Sequence, residues 1–149
     1  MLLSTWTRLI DPLASCYNGA KSSAERTRRA AIEPTQIIEL ARFIVDQIAD
    51  KKGEDIVLLD VRERTLIADY FVICSGSSDR QLKAIVEAIT ESVKKTYGLP
   101  ARYVEGDPAG GWVLVDFRDV IVHIFAPERR AFYDLEGFWS EAAVLLKIQ

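Results

Sequence analysis

The residues of this chain that could carry out acid–base or nucleophilic chemistry are few. There is one histidine, His123, so a histidine-rich metal centre is excluded. His123 can serve as a general base only if a nucleophile lies beside it. Cys74 and Ser75 end an apolar strand pattern, yet the sequence does not place either of them against His123. We therefore interpret His123 as a structural or interface residue and predict no catalytic residue.

The stretch SGSS, residues 75–78, is the candidate for phosphate binding. It leads from a strand into a helix start, where free backbone amides can hold phosphate. It lacks the lysine and the length of a P-loop and the three glycines of a dinucleotide fingerprint. A glycine turn followed by a helix cap explains all four residues, and this is the interpretation we prefer.

The carboxylates that come nearest to a two-metal arrangement are Asp60, Asp116 and Asp119. A nucleotidyltransferase holds two metal ions with carboxylates that alternate along one strand. Asp116 and Asp119 are three residues apart across a predicted turn, so they do not share a strand face. We therefore predict no metal site and no cofactor. The alternative that stays open is a nucleotidyltransferase-like enzyme acting on a nucleotide substrate.

Helical and strand periodicities predict the elements that must position these residues. One helix begins at Pro34 and stops before Gly53, and another is capped by Ser78 and ends at Gly98. Apolar strands are predicted at residues 55–61, 69–76, 101–106, 112–117 and 120–125. A last helix is predicted from Pro127, with three side chains facing inward: Phe132, Leu135 and Trp139. This order predicts a single α/β (α+β) domain with a mixed sheet of about five strands flanked by helices.

The stretch GWVLVDFRDVIVHIF, residues 111–125, predicts two strands around a turn at Arg118 and Asp119. A two-residue turn would require a positive φ angle at Arg118. Because strand side chains alternate, one face is wholly apolar and suits a core under the helices: Val113, Val115, Phe117, Val120, Val122 and Ile124. The second face mixes aromatic, aliphatic and polar side chains: Trp112, Leu114, Asp116, Ile121, His123 and Phe125. Such a mixture is typical of an interface, so the sequence slightly favours a binding face over a second core.

Charge and composition narrow the class of partner. The chain has 149 residues and a net charge of −3. Residues 34–149 contain 14 basic and 19 acidic residues, a net charge of −5, which disfavours nucleic acid and suits a basic protein partner. No apolar run approaches the ~18 residues of a membrane span. Cys74 lies inside an apolar strand pattern, so we expect a buried, reduced thiol.

The sequence predicts three segments. Residues 1–33 include the polar, basic stretch NGAKSSAERTRRAA and are predicted to be a flexible extension, with a transit peptide as the alternative. Residues 34–140 are predicted to form the domain, and residues 141–149 a C-terminal tail.

Three stretches in this order resemble the ribosomal silencing factor family, also called iojap-like proteins: LIADYFVICSGSSDRQ (66–81), EGDPAGGWVLVDFRDVIVHIF (105–125) and RRAFYDLEGFW (129–139). The resemblance implies a nucleotidyltransferase-like fold without catalytic residues. It implies a cytoplasmic translational repressor that binds the large ribosomal subunit through large-subunit protein fourteen, at the intersubunit face, and sterically blocks subunit joining. It also implies a role in large-subunit biogenesis and a homodimer when the protein is free. An organellar location is the alternative if residues 1–33 are a transit peptide.

The resemblance also implies where the partner binds. The interface tryptophan of the family corresponds to Trp112, which lies on the second face of the hairpin. With the neighbouring residues of that face and the matching motif positions, the expected partner-binding residues are Trp112, Leu114, Asp116, His123, Asp69, Tyr70 and Tyr133. Two positions depart from the family pattern: Arg118 stands where glycine is usual, and Leu66 where a small hydroxyl residue is common.

Overall fold

The structure, a computed structural model, describes residues 33–149. Its elements, in chain order, are α1 (Pro34–Asp50), β1 (Glu54–Asp60), β2 (Tyr70–Ser75), α2 (Asp79–Tyr97), β3 (Tyr103–Asp107), β4 (Trp112–Asp116), β5 (Val120–Phe125), α3 (Pro127–Tyr133), α4 (Leu135–Phe138) and β6 (Ala143–Ile148). None of the helices in residues 33–149 has the length and apolar character needed to cross a membrane. The predicted extension lies outside the described residues, apart from Glu33.

The two long helices begin and end at the predicted signals. Pro34 opens α1, which ends at Asp50. After it Lys52 takes the left-handed conformation, with φ of 63°, and the Gly53 N–H donates back to the Ile48 carbonyl at 2.9 Å. Ser78 caps α2, because its hydroxyl accepts a hydrogen bond from the Gln81 backbone N–H at 3.2 Å. Gly98 ends α2 in the left-handed conformation, with φ of 63°.

The six strands of the described residues form one mixed sheet in the order β3-β4-β5-β2-β1-β6. In this sheet the central pair, β2 and β5, is parallel, and the other four pairs are antiparallel. The predicted hairpin register is confirmed, with Val113 opposite Ile124 and Val115 opposite Val122. The predicted α+β class is confirmed as well, although the sheet has six strands rather than about five.

The sixth strand replaces the predicted C-terminal tail. Residues 143–148 pair antiparallel with β1 along the sheet edge. All six side chains are exposed, so the strand shows no alternation between a buried and an open face. Without that alternation, the sequence pattern does not distinguish this edge strand from a tail.

The turn between β4 and β5 is the tight turn that the sequence predicts. Arg118 has a φ angle of 75°, and the Phe117 N–H donates to the Val120 carbonyl at 2.9 Å. The Asp116 carboxylate accepts a hydrogen bond from the Arg118 N–H at 2.6 Å. This bond helps to hold an arginine in a conformation that usually favours glycine.

Both faces of the sheet are covered. On the first face, α1 and α2 bury the predicted apolar side of the hairpin together with Leu58, Val72 and Cys74. On the second face, the segment 127–139, which we call the helical cover, packs over the hairpin and buries Leu135 completely. The expectation of an open binding face is therefore wrong for this structure, which has a second core there.

The helical cover differs from the single helix that the sequence predicts. Asp134, with φ of 45°, ends α3 and starts α4, so the helical period does not continue through it. Leu135 and Trp139 face the sheet as predicted. Phe132 does not, because it lies before the break and is 60% exposed.

Candidate functional site

The second face of the sheet carries a cluster of six ring side chains, which we call the aromatic cluster: Phe71, Trp112, His123, Phe125, Tyr133 and Trp139. The register of the sheet brings its members from three strands into neighbouring rows. Trp112 on β4 lies opposite Phe125 on β5, and Leu114 lies opposite His123. Phe71 on β2 packs edge-on against His123, with ring centroids 5.3 Å apart. The helical cover adds Tyr133 and Trp139 from above.

Trp112 is a central member of the aromatic cluster. Its ring centroid lies 4.4 Å from that of Tyr133 and 4.9 Å from that of Phe125. The residue is 9% exposed. Burying an aromatic side chain of this size removes a large apolar area from water, which is a physical reason for the cover to pack here.

His123 is a neutral side chain buried inside the aromatic cluster. It is 1% exposed, and its Nδ1 atom accepts a hydrogen bond from the Trp112 indole Nε1–H at 3.4 Å. Burial lowers the pKa of His123 from 6.5 to about 3. Cys74 lies in the core on the opposite side of the sheet, where burial raises its thiol pKa to about 12. The two residues therefore do not form a nucleophile–base pair.

This buried histidine predicts an acid-sensitive fold. Below pH 6.5 the unfolded chain binds a proton at His123 that the folded chain does not bind until about pH 3. The contribution of His123 to the free energy of unfolding therefore has its full value above pH 6.5. It decreases as the pH falls from 6.5 towards 3, by about 1.4 kcal/mol per pH unit. Urea unfolding of the wild-type protein and of His123→Gln at pH 7, 6 and 5 measures this slope. The variant should have the shallower pH dependence, and equal slopes would contradict a buried neutral histidine.

The candidate aspartates lie at one end of the sheet, where Asp60 ends β1, Asp116 ends β4 and Asp119 precedes β5. Asp60 pairs with Arg62 at 2.6 Å, and hydrogen bonding from that guanidinium lowers the pKa of the Asp60 carboxyl group. Asp116 is fully buried and accepts from the Arg118 N–H. Asp119 lies in the turn, where its carbonyl accepts from the Asp69 and Tyr70 N–H groups at 2.8 and 3.1 Å. Within residues 33–149 there is no group of three histidine, cysteine or acidic side chains that could hold a metal ion.

The polar groups of the turn at residues 75–78 make hydrogen bonds to other parts of the protein. The Gly76 N–H donates to the Phe125 carbonyl at 2.9 Å, and the Ser77 N–H donates to the Gln81 side chain at 2.7 Å. With Ser78 as the helix cap, the geometry is that of a glycine turn and a cap rather than of a phosphate cradle.

The structure brings together only some of the expected partner-binding residues. Trp112, Leu114, His123 and Tyr133 lie on the second face, and Asp116 shares that face beside Ile121. Tyr70 points to the opposite face, into the core under α1 and α2, where the Arg62 guanidinium lies 5.4 Å from its ring centre. Asp69 is half-buried and directly precedes β2, beside the hairpin turn.

Arg130 is a residue of this site that the sequence did not indicate. Its Nη1 donates to the Ser75 hydroxyl at 2.8 Å, and its Nε donates to the Glu136 carboxylate at 2.9 Å. Nη2 of the same guanidinium also donates to Glu136. Arg130 thus joins α3, α4 and the end of β2. Residues six apart are not neighbours on the surface of one helix. Arg130 and Glu136 come into contact because the helix is interrupted at Asp134.

These features define a class of protein: a single α+β domain with a mixed six-stranded sheet, whose second face is a packed aromatic layer rather than a metal-binding cleft. Comparison with known proteins gives the family. The family model described as "Ribosomal silencing factor during starvation" matches residues 34–149. The chain belongs to the ribosomal silencing factor family, as its motifs indicated.

Individual relatives support the same assignment. The ribosomal silencing factor RsfS of Bacillus subtilis is 43% identical over 106 residues, which cover 71% of this chain and 86% of the relative. A mouse protein named "Mitochondrial assembly of ribosomal large subunit protein 1" is 34% identical over 106 residues, which cover 67% of this chain and 46% of that protein. A crystal structure from Chromobacterium violaceum superposes with a TM-score of 0.67 at 35% identity, covering 70% of this chain and 86% of that one.

Proposed function

We propose that this protein is a translational repressor that binds the large ribosomal subunit through large-subunit protein fourteen, at the intersubunit face. Bound there, it sterically blocks joining of the small subunit. The observation that carries the proposal is the family match, which spans the whole described domain from residue 34 to residue 149. The name of the Bacillus subtilis relative supports silencing of ribosomes.

A role in large-subunit assembly is the second part of the proposal. It is supported by the name of the mouse relative, which refers to assembly of the mitochondrial large subunit. We place the protein in the cytoplasm, as a ribosome-binding factor, with an organelle as the alternative if residues 1–33 act as a transit peptide. A homodimer of the free protein is a further part of the proposal.

The chemistry of the described domain favours binding over catalysis. Its histidine is neutral and enclosed by rings, and its buried cysteine lies on the other side of the sheet. Within residues 33–149, no three histidine, cysteine or acidic side chains form a group that could hold a metal ion. The acidic charge of residues 34–149 suits a basic protein partner on the ribosome. Among the expected contact residues, Tyr133 and Asp69 are half-buried, whereas Trp112, Leu114, Asp116 and His123 are buried, so we propose that these four act chiefly by shaping the contact surface.

Sedimentation with separated ribosomal subunits tests this function. The purified chain should pellet with large subunits and stay in the supernatant with small subunits. Addition of excess purified protein fourteen should compete with the large subunit, because both offer the same surface. Equal pelleting with both subunits, or none with either, would contradict the proposal. Metal-dependent nucleotidyl transfer that is lost in Asp116→Asn would instead support the enzymatic alternative.

A further inference from the structure

The helical cover turns two aromatic side chains outward. Phe132 is 60% exposed and Phe138 is 47% exposed, whereas most large apolar side chains of the cover and of the face below it are buried or half-buried. Two phenylalanines on one short segment are costly to leave in water, since burying such a side chain is worth about 1.5–3 kcal/mol. Exposed aromatic residues are enriched at protein–protein contacts.

Each exposed phenylalanine is the outer member of a ring stack that begins in the aromatic cluster. Phe132 packs edge-on against Tyr133, with ring centroids 5.1 Å apart, and Tyr133 rests on Trp112. Phe138 packs edge-on against Trp139, also at 5.1 Å, and Trp139 rests on Phe71. The buried cluster therefore holds both outer rings in position, so little ordering remains to be done when a partner binds.

The charges of the cover give the chemistry of the partner. Each exposed phenylalanine follows a carboxylate by four residues, Glu128 before Phe132 and Asp134 before Phe138, and both carboxylates are exposed. Glu128 and Phe132 are neighbours on the surface of α3. Asp134 is instead the cap of α4, where its carboxylate accepts a hydrogen bond from the Gly137 N–H at 3.2 Å. Arg130, in contrast, turns inward to Ser75 and Glu136 and is 12% exposed at its side chain. Arg129 is also exposed on α3, so the outer surface presents two aromatic rings together with two carboxylates and one guanidinium, a net charge of −1.

From this geometry we infer that the outer surface of the helical cover docks on the proposed ribosomal partner, large-subunit protein fourteen. This surface consists of Phe132 and Phe138 with the carboxylates of Glu128 and Asp134. The partner surface that fits is apolar and is rimmed by lysine or arginine residues. The inference rests on the proposed function and deepens it, because it assigns the direct contact to the cover. Trp112 then acts as a positioning residue, through Tyr133, for the exposed Phe132.

Affinity for purified large ribosomal subunits tests this surface. Phe132→Ser and Phe138→Ser should each weaken binding at least about tenfold, and the double variant more strongly. Both changes are at exposed positions, so thermal unfolding midpoints should stay within about 3 °C of the wild-type value. Tyr97→Ser is the matched control, since Tyr97 is an aromatic residue on the helix side that is 40% exposed. It should bind as the wild-type chain does.

A charge reversal tests the acidic rim independently of the rings. Glu128→Lys should weaken binding and make it less sensitive to salt, whereas Glu39→Lys, on the exposed side of α1, should change neither. If the wild-type chain binds large subunits and the double phenylalanine variant binds within about twofold of it, the docking surface is wrong while the proposed function stands. The docking surface is also wrong if the double variant loses only self-association. If the wild-type chain does not bind large subunits, both the docking surface and the proposed function fail together.

Discussion

Replacing Trp112 by alanine should lower the free energy of unfolding by about 3–5 kcal/mol, the usual cost of removing a large aromatic side chain from a core. The residue is 9% exposed and contacts Phe125 and Tyr133 by its ring and His123 by its indole N–H. Loss of the ring leaves a cavity under the cover and removes the support of Tyr133. Urea unfolding followed by circular dichroism measures the effect.

The same substitution should also weaken ribosome binding, and a control separates the two effects. Val115→Ala removes apolar volume from the core on the helix side of the sheet without touching the aromatic cluster. Binding of both variants is compared at temperatures where circular dichroism shows each to be folded. We expect Trp112→Ala to bind more weakly than Val115→Ala under these conditions. A Trp112→Ala protein of normal stability would contradict the structure, and a folded variant with normal binding would contradict the positioning role.

Replacing Arg130 by methionine should cost about 2–3 kcal/mol of stability, because three charge-assisted hydrogen bonds to Ser75 and Glu136 are lost. Methionine keeps an apolar stem of similar length, so packing changes little. The loss should be concentrated in the cover. Hydrogen exchange should accelerate in residues 127–139, while α1 exchanges at its original rate in conditions where the protein stays folded.

Glu136→Gln is the matched control for the ion pair between Arg130 and Glu136. It keeps an oxygen acceptor for the guanidinium but removes the negative charge, so its cost should be smaller than that of Arg130→Met. Both variants could have the same unfolding midpoint as the wild-type chain and an unchanged rate of hydrogen exchange in residues 127–139. In that case Arg130 does not hold the cover to the sheet.

Local signals in the sequence predicted much of the fold. Pro34, Ser78 and Gly98 mark helix ends because their chemistry suits those positions regardless of the rest of the chain. The alternation of residues 112–125 predicted which hairpin side chains share a face, since a strand has a period of two. It also required a positive φ angle at Arg118, which the structure has.

What covers the second face depends on tertiary placement, which alternation does not encode. In the sequence, the mixture of Trp112, Asp116 and His123 is typical of an interface. In the structure these residues are buried, because residues 127–139 fold over them with a break between two helices at Asp134. The contact between Arg130 and Glu136 depends on the same break. The sequence did not predict β6 for a different reason. All of its side chains are exposed at the sheet edge, so it lacks the alternation of apolar and polar residues that predicts a strand.

Subunit joining is the measurement that tests the central claim most directly. Purified large subunits are incubated with the full chain, small subunits are added, and whole ribosomes are counted by sucrose-gradient sedimentation. The proposed function predicts that whole ribosomes decrease as the chain is added, and that the chain sediments with the large subunits left unjoined. Joining that is unaffected at concentrations where the chain saturates the large subunit would contradict it.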